Sequence, residues 1–273
     1  MGVETSNTLE ELEQIRKHRA INRRNFIRNL GITGVAIAGS NLLAGCGSST
    51  IASAAGPAES DVLNFALNLE YLEAEFYLFA TTGAGLSAGD TGAATGPTTG
   101  GSKVTFTDPR LADIAAEITF DEQQHVRFLR SALGAAAVPK PAINLAALGP
   151  FTNDTQFLTL SRAFEDTGVS AYSGAATLLS GNNLQAAAQI LATEALHTGN
   201  IRLKVVQAGL SLAPIDALDK PPSGAQYFNV DQNALAIKRT PSQVLAIVYA
   251  ASTPGTTKGG FFPNGVNGVI NTV

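Results

Sequence analysis

The chain of 273 residues is long enough for one sizeable domain with appendages, and 45% of its residues are hydrophobic while only 15% are charged. That balance is typical of a folded protein with a core and excludes a disordered chain. The net charge of −4 is small, and no cluster of Lys and Arg occurs after the first 30 residues, so nothing favours a nucleic acid as a partner.

Residues 1–46 resemble an export signal. Twin arginines at Arg23 and Arg24 are followed two residues later by Phe26, and then by an uncharged stretch over residues 30–44. The apolar run is too short to span a membrane comfortably, but it suits a signal of the twin-arginine type.

The signal ends in Leu-Ala-Gly-Cys46, which resembles a bacterial lipoprotein box. Cleavage before Cys46 would leave a lipidated cysteine that anchors the protein to a membrane surface in the periplasm or cell envelope. The alternative is cleavage after Ala54, which would release a soluble exported protein. Residues 47–60, rich in Ser, Ala and Gly, are predicted to form a tether.

A buried first helix is predicted over residues 61–80, because VLNFALNLEYLEAEFYLFA is apolar almost all round. On a helical wheel Glu70 and Glu73 share a stripe with Tyr77, while Glu75 falls on the opposite side. An unpaired carboxylate is costly to bury. Glu70 is therefore the candidate ligand and Glu73 the alternative, whereas Glu75 is predicted to be a solvated charge.

Two long connections flank the second predicted helix. Residues 81–107 are rich in Gly and Thr and lack periodicity, which predicts a long surface insertion; a mobile loop is favoured over the alternative, a segment that covers the end of a site. The helix begins at Pro109, with Asp108 as its N-cap, and ends before Gly134. Residues 134–152 contain three prolines and cannot form one helix; extended, they would reach roughly 60 Å, enough to cross a helix bundle.

A Glu and a His stand three residues apart in the second helix, at Glu122 and His125. Residues with this spacing share a helix face, so the carboxylate and the imidazole point the same way. The same pair recurs at Glu194 and His197, in a fourth helix predicted from residue 184 to about 208. A pattern repeated in a chain with only three His indicates a metal site.

The third predicted helix, from about residue 154 to 179, carries Glu165 and, seven residues later, Tyr172. Glu70 and Tyr77 have the same spacing, which places both groups on one helix face. Each half of the chain thus contains a helix with one candidate Glu, followed by a helix with a Glu and a His three residues apart. In a four-helix bundle such side chains converge on two metal ions. The candidate ligands are Glu70, Glu122, His125, Glu165, Glu194 and His197.

Four carboxylates and two imidazoles suit two divalent cations, since the positive charge nearly balances the negative charge. Oxygen-rich ligation with one His per metal favours iron or manganese over structural zinc, and does not choose between them. Asp121 and Asp166 adjoin ligands in sequence but lie about 100° round the helix. They are predicted to be surface or capping groups.

Residues 210–273 are predicted to form an extension packed on the bundle of residues 61–209. It contains one further helix, with Thr240 as cap and Pro241 following. The closing GGFFPNG segment is predicted to be a turn whose aromatic side chains pack back on the bundle.

The chain resembles the ferritin-like superfamily, and more narrowly the family of bacterial ferritin-like and plant desiccation-related proteins. The resemblance spans about residues 60–268 and rests on the segments LNFALNLEYLEAEFY, FDEQQHVRFLRSALG, AFEDTGVSAY, EALHTGNIRL, RTPSQVLAIVY and GGFFPNGVNG. It implies an all-α, ferritin-like four-helix bundle with a long crossover connection and a carboxylate-bridged di-metal site. The six candidate ligands take the ligand positions, with Tyr77 and Tyr172 beside them in a supporting role.

The leading functional hypothesis is an exported di-iron or di-manganese protein that reacts with dioxygen or peroxide and protects the envelope from oxidants. The superfamily includes ferroxidases, peroxidases and catalases, so the fold alone does not set the activity. The alternatives are a structural protectant in stress or desiccation, and metal sequestration without a cage. The sequence leaves the oligomeric state open, with a dimer among the options.

Overall fold

The computed structural model describes residues 56–273, and a bundle of four long helices forms its core. The long helices are α1 (Glu59–Thr82), α3 (Pro109–Leu133), α4 (Asp154–Ala175) and α5 (Gly181–Gln207). The shorter elements are α2 (Ala88–Thr91), β1 (Thr98–Thr99), β2 (Ile143–Asn144) and α6 (Pro241–Val248). The predicted all-α bundle with a C-terminal helix is thereby confirmed. The predicted export signal, with Cys46 and Ala54, lies outside the described residues.

The helices pack in two pairs, α1 along α3 and α4 along α5, and α1 also contacts α4. Each pair therefore combines one helix that carries a single candidate ligand, Glu70 or Glu165, with one that carries a candidate Glu and a candidate His. The connection between the pairs, predicted as a crossover, runs through β2, which pairs in parallel with β1 of the insertion. Within residues 56–273, no helix combines the length and the apolar character needed to cross a membrane.

Helix caps anchor two of these elements where the sequence predicted them. The side chain of Asp108 accepts a hydrogen bond from the Arg110 N–H at 2.9 Å, at the start of α3. At the start of α6, Thr240 and Gln243 form a reciprocal capping box. Both caps satisfy N–H groups that a helix leaves unpaired at its N-terminus.

The prediction of a mobile surface loop over residues 81–107 is wrong. The insertion contains α2 and β1, and its buried Asp90 pairs with Arg127 of α3 at 2.8 Å. Several of its glycines lie at close contacts; a Cβ on Gly101, for example, would lie 2.4 Å from the Phe79 ring. The Gly content that suggested a loop therefore reflects close packing.

Glu75 is not the solvated charge that was predicted. Only 2% of it is exposed, and its Oε1 lies 3.7 Å from Lys140 Nζ and accepts a hydrogen bond from the Leu86 N–H at 3.3 Å. Burial raises the pKa of Glu75, and the nearby Lys140 opposes that rise. The insertion and the crossover cover the side of α1 that faces away from Glu70, so α1 is enclosed all round.

Asp166 is also buried, although it was predicted to be a surface or capping group. Its Oδ2 lies 2.7 Å from Arg202 Nη1 and 3.6 Å from Arg162 Nη1. Arg162 in turn pairs with Asp219 of the C-terminal extension at 2.5 Å. Burial raises the pKa of Asp166 to about 6, and the charge of Arg202 opposes that rise. The Arg202–Asp166 pair joins α5 to α4, and the Arg162–Asp219 pair attaches the extension to the bundle.

The aromatic side chains near the C-terminus pack on the bundle as predicted. Phe261 and Phe262 are both buried, and the Phe261 ring lies 4.9 Å from the Phe164 ring in an edge-on arrangement. Phe164 belongs to α4, so this contact ties the closing turn to the helix that carries Glu165.

Candidate metal centre

Side chains from all four long helices converge in the middle of the bundle. Helices α1 and α4 contribute one Glu each, and α3 and α5 contribute a Glu and a His each. The four Glu residues are fully buried, and the two His are only 9% and 5% exposed. Charged groups at such depth require partners, because burial of an unpaired charge is strongly unfavourable.

The six predicted residues form two overlapping groups, in each of which one ligand atom per residue lies within 4.8 Å of the others. The first group is Glu70, Glu122, His125 and Glu194; the second is Glu122, Glu165, Glu194 and His197. Glu122 and Glu194 belong to both groups. The arrangement suits two cations that share two carboxylates, with one further Glu and one His for each cation.

Both imidazoles turn their Nδ1 atoms towards the carboxylates. His125 Nδ1 lies 3.2 Å from Glu70 Oε2 and 3.4 Å from Glu194 Oε1. His197 Nδ1 lies 3.1 Å from Glu122 Oε1 and 3.4 Å from Glu165 Oε2. The centroids of the two rings are 6.2 Å apart, so the carboxylates occupy the space between them.

The donor atoms in this cluster lack other partners. Buried atoms without a hydrogen-bond partner include Glu70 Oε2, both carboxylate oxygens of Glu122 and of Glu194, Glu165 Oε2, His125 Nδ1 and His197 Nδ1. Buried polar groups in proteins are normally paired, and leaving one unpaired is unfavourable. Divalent cations would satisfy these atoms together, and an oxygen-rich set with nitrogen donors fits iron or manganese.

Two tyrosines orient the unshared carboxylates, which are those of Glu70 and Glu165, the Glu residues that belong to only one ligand group. Each tyrosine bonds the Glu of the other helix. The Tyr172 hydroxyl of α4 donates to Glu70 Oε1 of α1 at 2.5 Å. The Tyr77 hydroxyl of α1 donates to Glu165 Oε1 of α4 and lies 2.5 Å from Ser161 Oγ. Each Glu thus has one oxygen held by a tyrosine, which leaves the other oxygen facing the cluster.

Asp121 contacts the centre, although sequence reasoning assigned it to the surface. Its Oδ2 lies 3.1 Å from His197 Nε2, and 31% of its side chain is exposed. A carboxylate at this position accepts the Nε2–H and keeps Nδ1 free to bind a metal. Asp121 points away from Glu122 on α3 but towards the neighbouring α5, which a single helical wheel does not show.

Asp121→Ala is therefore expected to weaken one of the two cation sites, by about 10–100-fold, because His197 loses the group that fixes its tautomer. A stepwise titration with Mn²⁺, followed by calorimetry, should show one site weakened and the other unchanged. Asp113→Ala, on the exposed side of the same helix, is the control. Equal affinities in the two variants would contradict this role of Asp121.

Glu73 is a fifth buried carboxylate beside the centre and belongs to neither ligand group, whereas Glu70 belongs to one. The absence of a side chain on Gly168 makes room for it. A Cβ on Gly168 would lie 2.5 Å from Glu194 Oε2 and 3.2 Å from Glu73 Oε1. Burial and the charge of Glu194 raise the pKa of Glu73 well above its ordinary value, which favours its protonated form.

Metal loading is expected to release protons. Burial raises the pKa of Glu70 to about 7 and that of Glu194 well above its ordinary value. Burial lowers the pKa of His125, but the charge of Glu70 and the other carboxylates more than reverses this. A cation competes with these protons, so its affinity should rise between about pH 6 and pH 8. Calorimetry in two buffers of different ionisation enthalpy measures the release; heats independent of buffer would contradict it.

The chain matches a protein-family model and is similar to named proteins. A family model described as a ferritin-like domain matches residues 58–207, which include all four long helices. The ferritin-like catalase Nec2 of Nesocodon mauritianus is 24% identical over 266 residues, covering 78% of this chain and 85% of the relative. The desiccation-related protein PCC13-62 of Craterostigma plantagineum is 28% identical over 249 residues, covering 71% of this chain and 79% of the relative.

Proposed function

The chain belongs to the ferritin-like domain family, and we propose that it is a di-metal stress protein whose two iron or manganese ions react with peroxide or dioxygen. The observation that carries this proposal is the pair of ligand groups that share Glu122 and Glu194. Similarity to a relative named a ferritin-like catalase favours peroxide as the substrate. At this level of identity the fold and the donor set are the firmer support.

The protein's own part in this chemistry is to hold and shield the reacting centre. Bound iron or manganese would supply the exchange of electrons with peroxide or dioxygen. Tyr77 and Tyr172 keep the unshared carboxylates aimed at the centre, and Asp121 does the same for His197. Burial and the charge of Glu194 raise the pKa of Glu73, so this carboxyl beside the centre suits a role as proton donor.

The proposed location is the periplasm or the cell envelope, with attachment to a membrane through lipidated Cys46. The support is the twin-arginine pattern at Arg23 and Arg24 and the small residues before Cys46. Metabolic labelling with a palmitate analogue, in cells expressing the wild type or Cys46→Ser, measures the lipid attachment. Release of unlabelled protein after cleavage at Ala54 would favour the soluble alternative.

Peroxide turnover is the direct test of the proposed activity. Metal-loaded protein is mixed with hydrogen peroxide in an oxygen electrode, with peroxide loss followed in parallel. Disproportionation releases one O₂ for every two peroxide molecules consumed. Glu122→Gln is expected to abolish turnover, whereas Glu117→Gln, on the exposed face of α3, should leave it unchanged. Metal-replete wild type that consumes neither peroxide nor dioxygen would contradict the proposal.

A second candidate is a protectant in which the metal only stabilises the bundle. Similarity to a relative named a desiccation-related protein favours it. Thermal unfolding with and without a chelator separates the two functions, because a cation that binds only the folded state raises its stability. A large loss of melting temperature on chelation, together with no turnover in the oxygen electrode, would support the protectant.

A further inference from the structure

The exposed apolar side chains of the bundle are concentrated on two of its four long helices. Within residues 56–273, α1 and α4 have no exposed large apolar side chain, because the insertion, the crossover and the extension pack against them. Those of the other two helices are Phe120 and Phe128 of α3, and Leu184, Leu196 and Leu203 of α5. Single apolar residues on a surface are ordinary, but a group of them on adjacent helices marks an interaction surface.

Helices α3 and α5 lie side by side and run in opposite directions. At one end of the pair, Asp108, which caps α3, lies 2.7 Å from Lys204 in the last turn of α5. Near the middle of both helices, Asp121 lies 3.1 Å from His197. Residue numbers therefore rise along one helix as they fall along the other.

Phe120 and Leu196 immediately precede this central contact, and 61% and 68% of them are exposed. Consecutive residues lie about 100° apart round a helix, so both side chains point outward beside the contact between the helices. Leu203 follows Leu196 by two full turns and shares its stripe. We call the exposed side of residues 120–132 and 185–203 the α3–α5 face.

Helix α5 contributes almost no charge to this face. Its 27 residues include four ionisable side chains. Glu194, His197 and Arg202 are buried, and Lys204 pairs with Asp108. The other exposed residues along the helix are uncharged and include Gln185, Gln189, Ala192 and Asn200.

The charged residues in the second half of α3 turn away from this face. Arg127 pairs with Asp90 of the insertion, and the Arg130 guanidinium donates a hydrogen bond to the Tyr71 hydroxyl of α1 at 2.6 Å. Both contacts lie on the side of α3 opposite to α5. Exposed aromatic residues in a region poor in charge are the composition typical of the core of a protein interface.

We propose that the α3–α5 face binds the same face of a second copy of this chain and forms a two-fold symmetric dimer. Over the 25 residues of α3, two adjacent helices present a face about 37 Å long and about 20 Å wide, roughly 700–800 Å². Each partner of a stable complex buries about 800 Å². Phe120 and Leu196 lie near the centre of this area, where side chains contribute most to binding.

The distribution of charge favours a second copy over a membrane. In a symmetric dimer the same patch lies on both sides, so an uncharged face can pair with itself without repulsion between like charges. The exposed charged residues at one end of the face, Arg110, Asp113 and Glu117, together have a net negative charge. Membrane surfaces with anionic headgroups attract Lys and Arg and repel such a group.

The dimer would also cover the least buried side of the candidate metal centre. The four Glu ligands are fully buried, but His125 and His197 are 9% and 5% exposed, and 31% of the Asp121 side chain is exposed. Asp121 and His197 meet between α3 and α5, so a second copy on this face would exclude water from them. The proposed dimer does not depend on the metal or on the proposed activity.

Sedimentation velocity of the purified full chain measures the association. The wild type is expected to sediment as a dimer, whereas Phe120→Asp and Leu196→Asp should raise the Kd of the dimer at least about 100-fold, because each buries new charges in the interface. The matched control is Leu148→Asp, since Leu148 of the crossover is also 61% exposed but lies outside the face. Its Kd should stay within about twofold of the wild type.

Chemical labelling of Asp121 locates the contact independently. A water-soluble carbodiimide couples glycine ethyl ester to accessible carboxylates, and mass spectrometry of peptides gives the rate at each site. Asp121 should react at least about fivefold faster in Leu196→Asp than in the wild type or Leu148→Asp, because the partner covers it only in the dimer.

Three results would overturn the proposal: a wild type that sediments as a monomer, a dimer that survives both Phe120→Asp and Leu196→Asp, or equal labelling of Asp121 in all variants. All variants share residues 1–55, so self-association through that segment would appear as the second result. A monomeric wild type that binds phosphatidylglycerol vesicles through Phe120 would assign the face to a membrane instead.

Discussion

Glu122→Ala is expected to leave the protein with almost no bound metal, whereas Glu70→Ala should still hold one ion of the two. The reason is that Glu122 belongs to both ligand groups and Glu70 to only one. After loading with Mn²⁺ and dialysis, mass spectrometry of the metal should give about two ions per chain for the wild type, about one for Glu70→Ala and close to none for Glu122→Ala.

Controls separate loss of a ligand from loss of fold. Glu117→Ala removes an exposed Glu from the same helix and should keep about two ions per chain. Glu165→Ala should behave like Glu70→Ala, because Glu165 is the unshared carboxylate of the second group. Circular dichroism confirms that each variant stays helical. Equal metal content in Glu70→Ala and Glu122→Ala would show that Glu122 is not shared between two cations.

Arg202→Ala is expected to lower the free energy of unfolding by about 3–5 kcal/mol, the range for breaking a buried ion pair from one side. Arg202 is fully buried, and it bonds Asp166 at 2.7 Å and the carbonyls of Tyr227 and Lys220 at 2.6 and 2.7 Å. Its removal leaves a buried carboxylate and two carbonyls without these donors. Urea unfolding in the presence of a chelator measures the loss without any contribution from metal.

Arg127→Ala is the matched control, since Arg127 also pairs with an Asp at 2.8 Å, but 44% of its side chain is exposed. The loss of stability should be smaller, about 1–2 kcal/mol, because the Arg127 guanidinium is partly in solvent and Ser87 Oγ still donates a hydrogen bond to the buried Asp90 at 2.9 Å. A loss as large for Arg127→Ala as for Arg202→Ala would contradict the claim that the buried contacts of Arg202 with Asp166, Tyr227 and Lys220 contribute strongly to stability.

The decrease in the free energy of unfolding caused by Arg202→Ala should also depend on pH. Asp166 already has a pKa raised to about 6 in the folded protein, and removal of Arg202 raises it further. A carboxyl with a raised folded pKa destabilises the folded state above its unfolded pKa, near 4, and has no such effect below it, where both states are protonated. The difference between wild type and variant should therefore shrink as the pH falls from 7 towards 4.

The cluster of candidate ligands was predictable from the sequence because its signals are local. A Glu and a His three residues apart must share a helix face, and so must Glu70 and Tyr77 or Glu165 and Tyr172. What local spacing did not predict is the crosswise pairing, in which each tyrosine bonds the Glu of the opposite helix. That arrangement depends on how α1 and α4 pack together.

The three wrong assignments of single residues share a physical cause. Glu75, Asp121 and Asp166 each point away from the ligands on their own helix, and a helical wheel equates that direction with solvent. In the folded chain another segment packs against each of these side chains. The insertion packs against Glu75, α5 lies beside Asp121, and the extension lies over Asp166. Which side of a helix is covered depends on distant parts of the chain, so helical periodicity alone does not determine it.

The most direct test of the central claim is diffraction from a crystal of the protein as purified, with anomalous data collected at the iron and manganese absorption edges. The account predicts two anomalous peaks about 3.5–4 Å apart, one beside His125 Nδ1 and the other beside His197 Nδ1, with Glu122 and Glu194 between them. Absence of any peak at both edges, or peaks only at the protein surface, would contradict the claim that these six side chains hold a pair of metal ions.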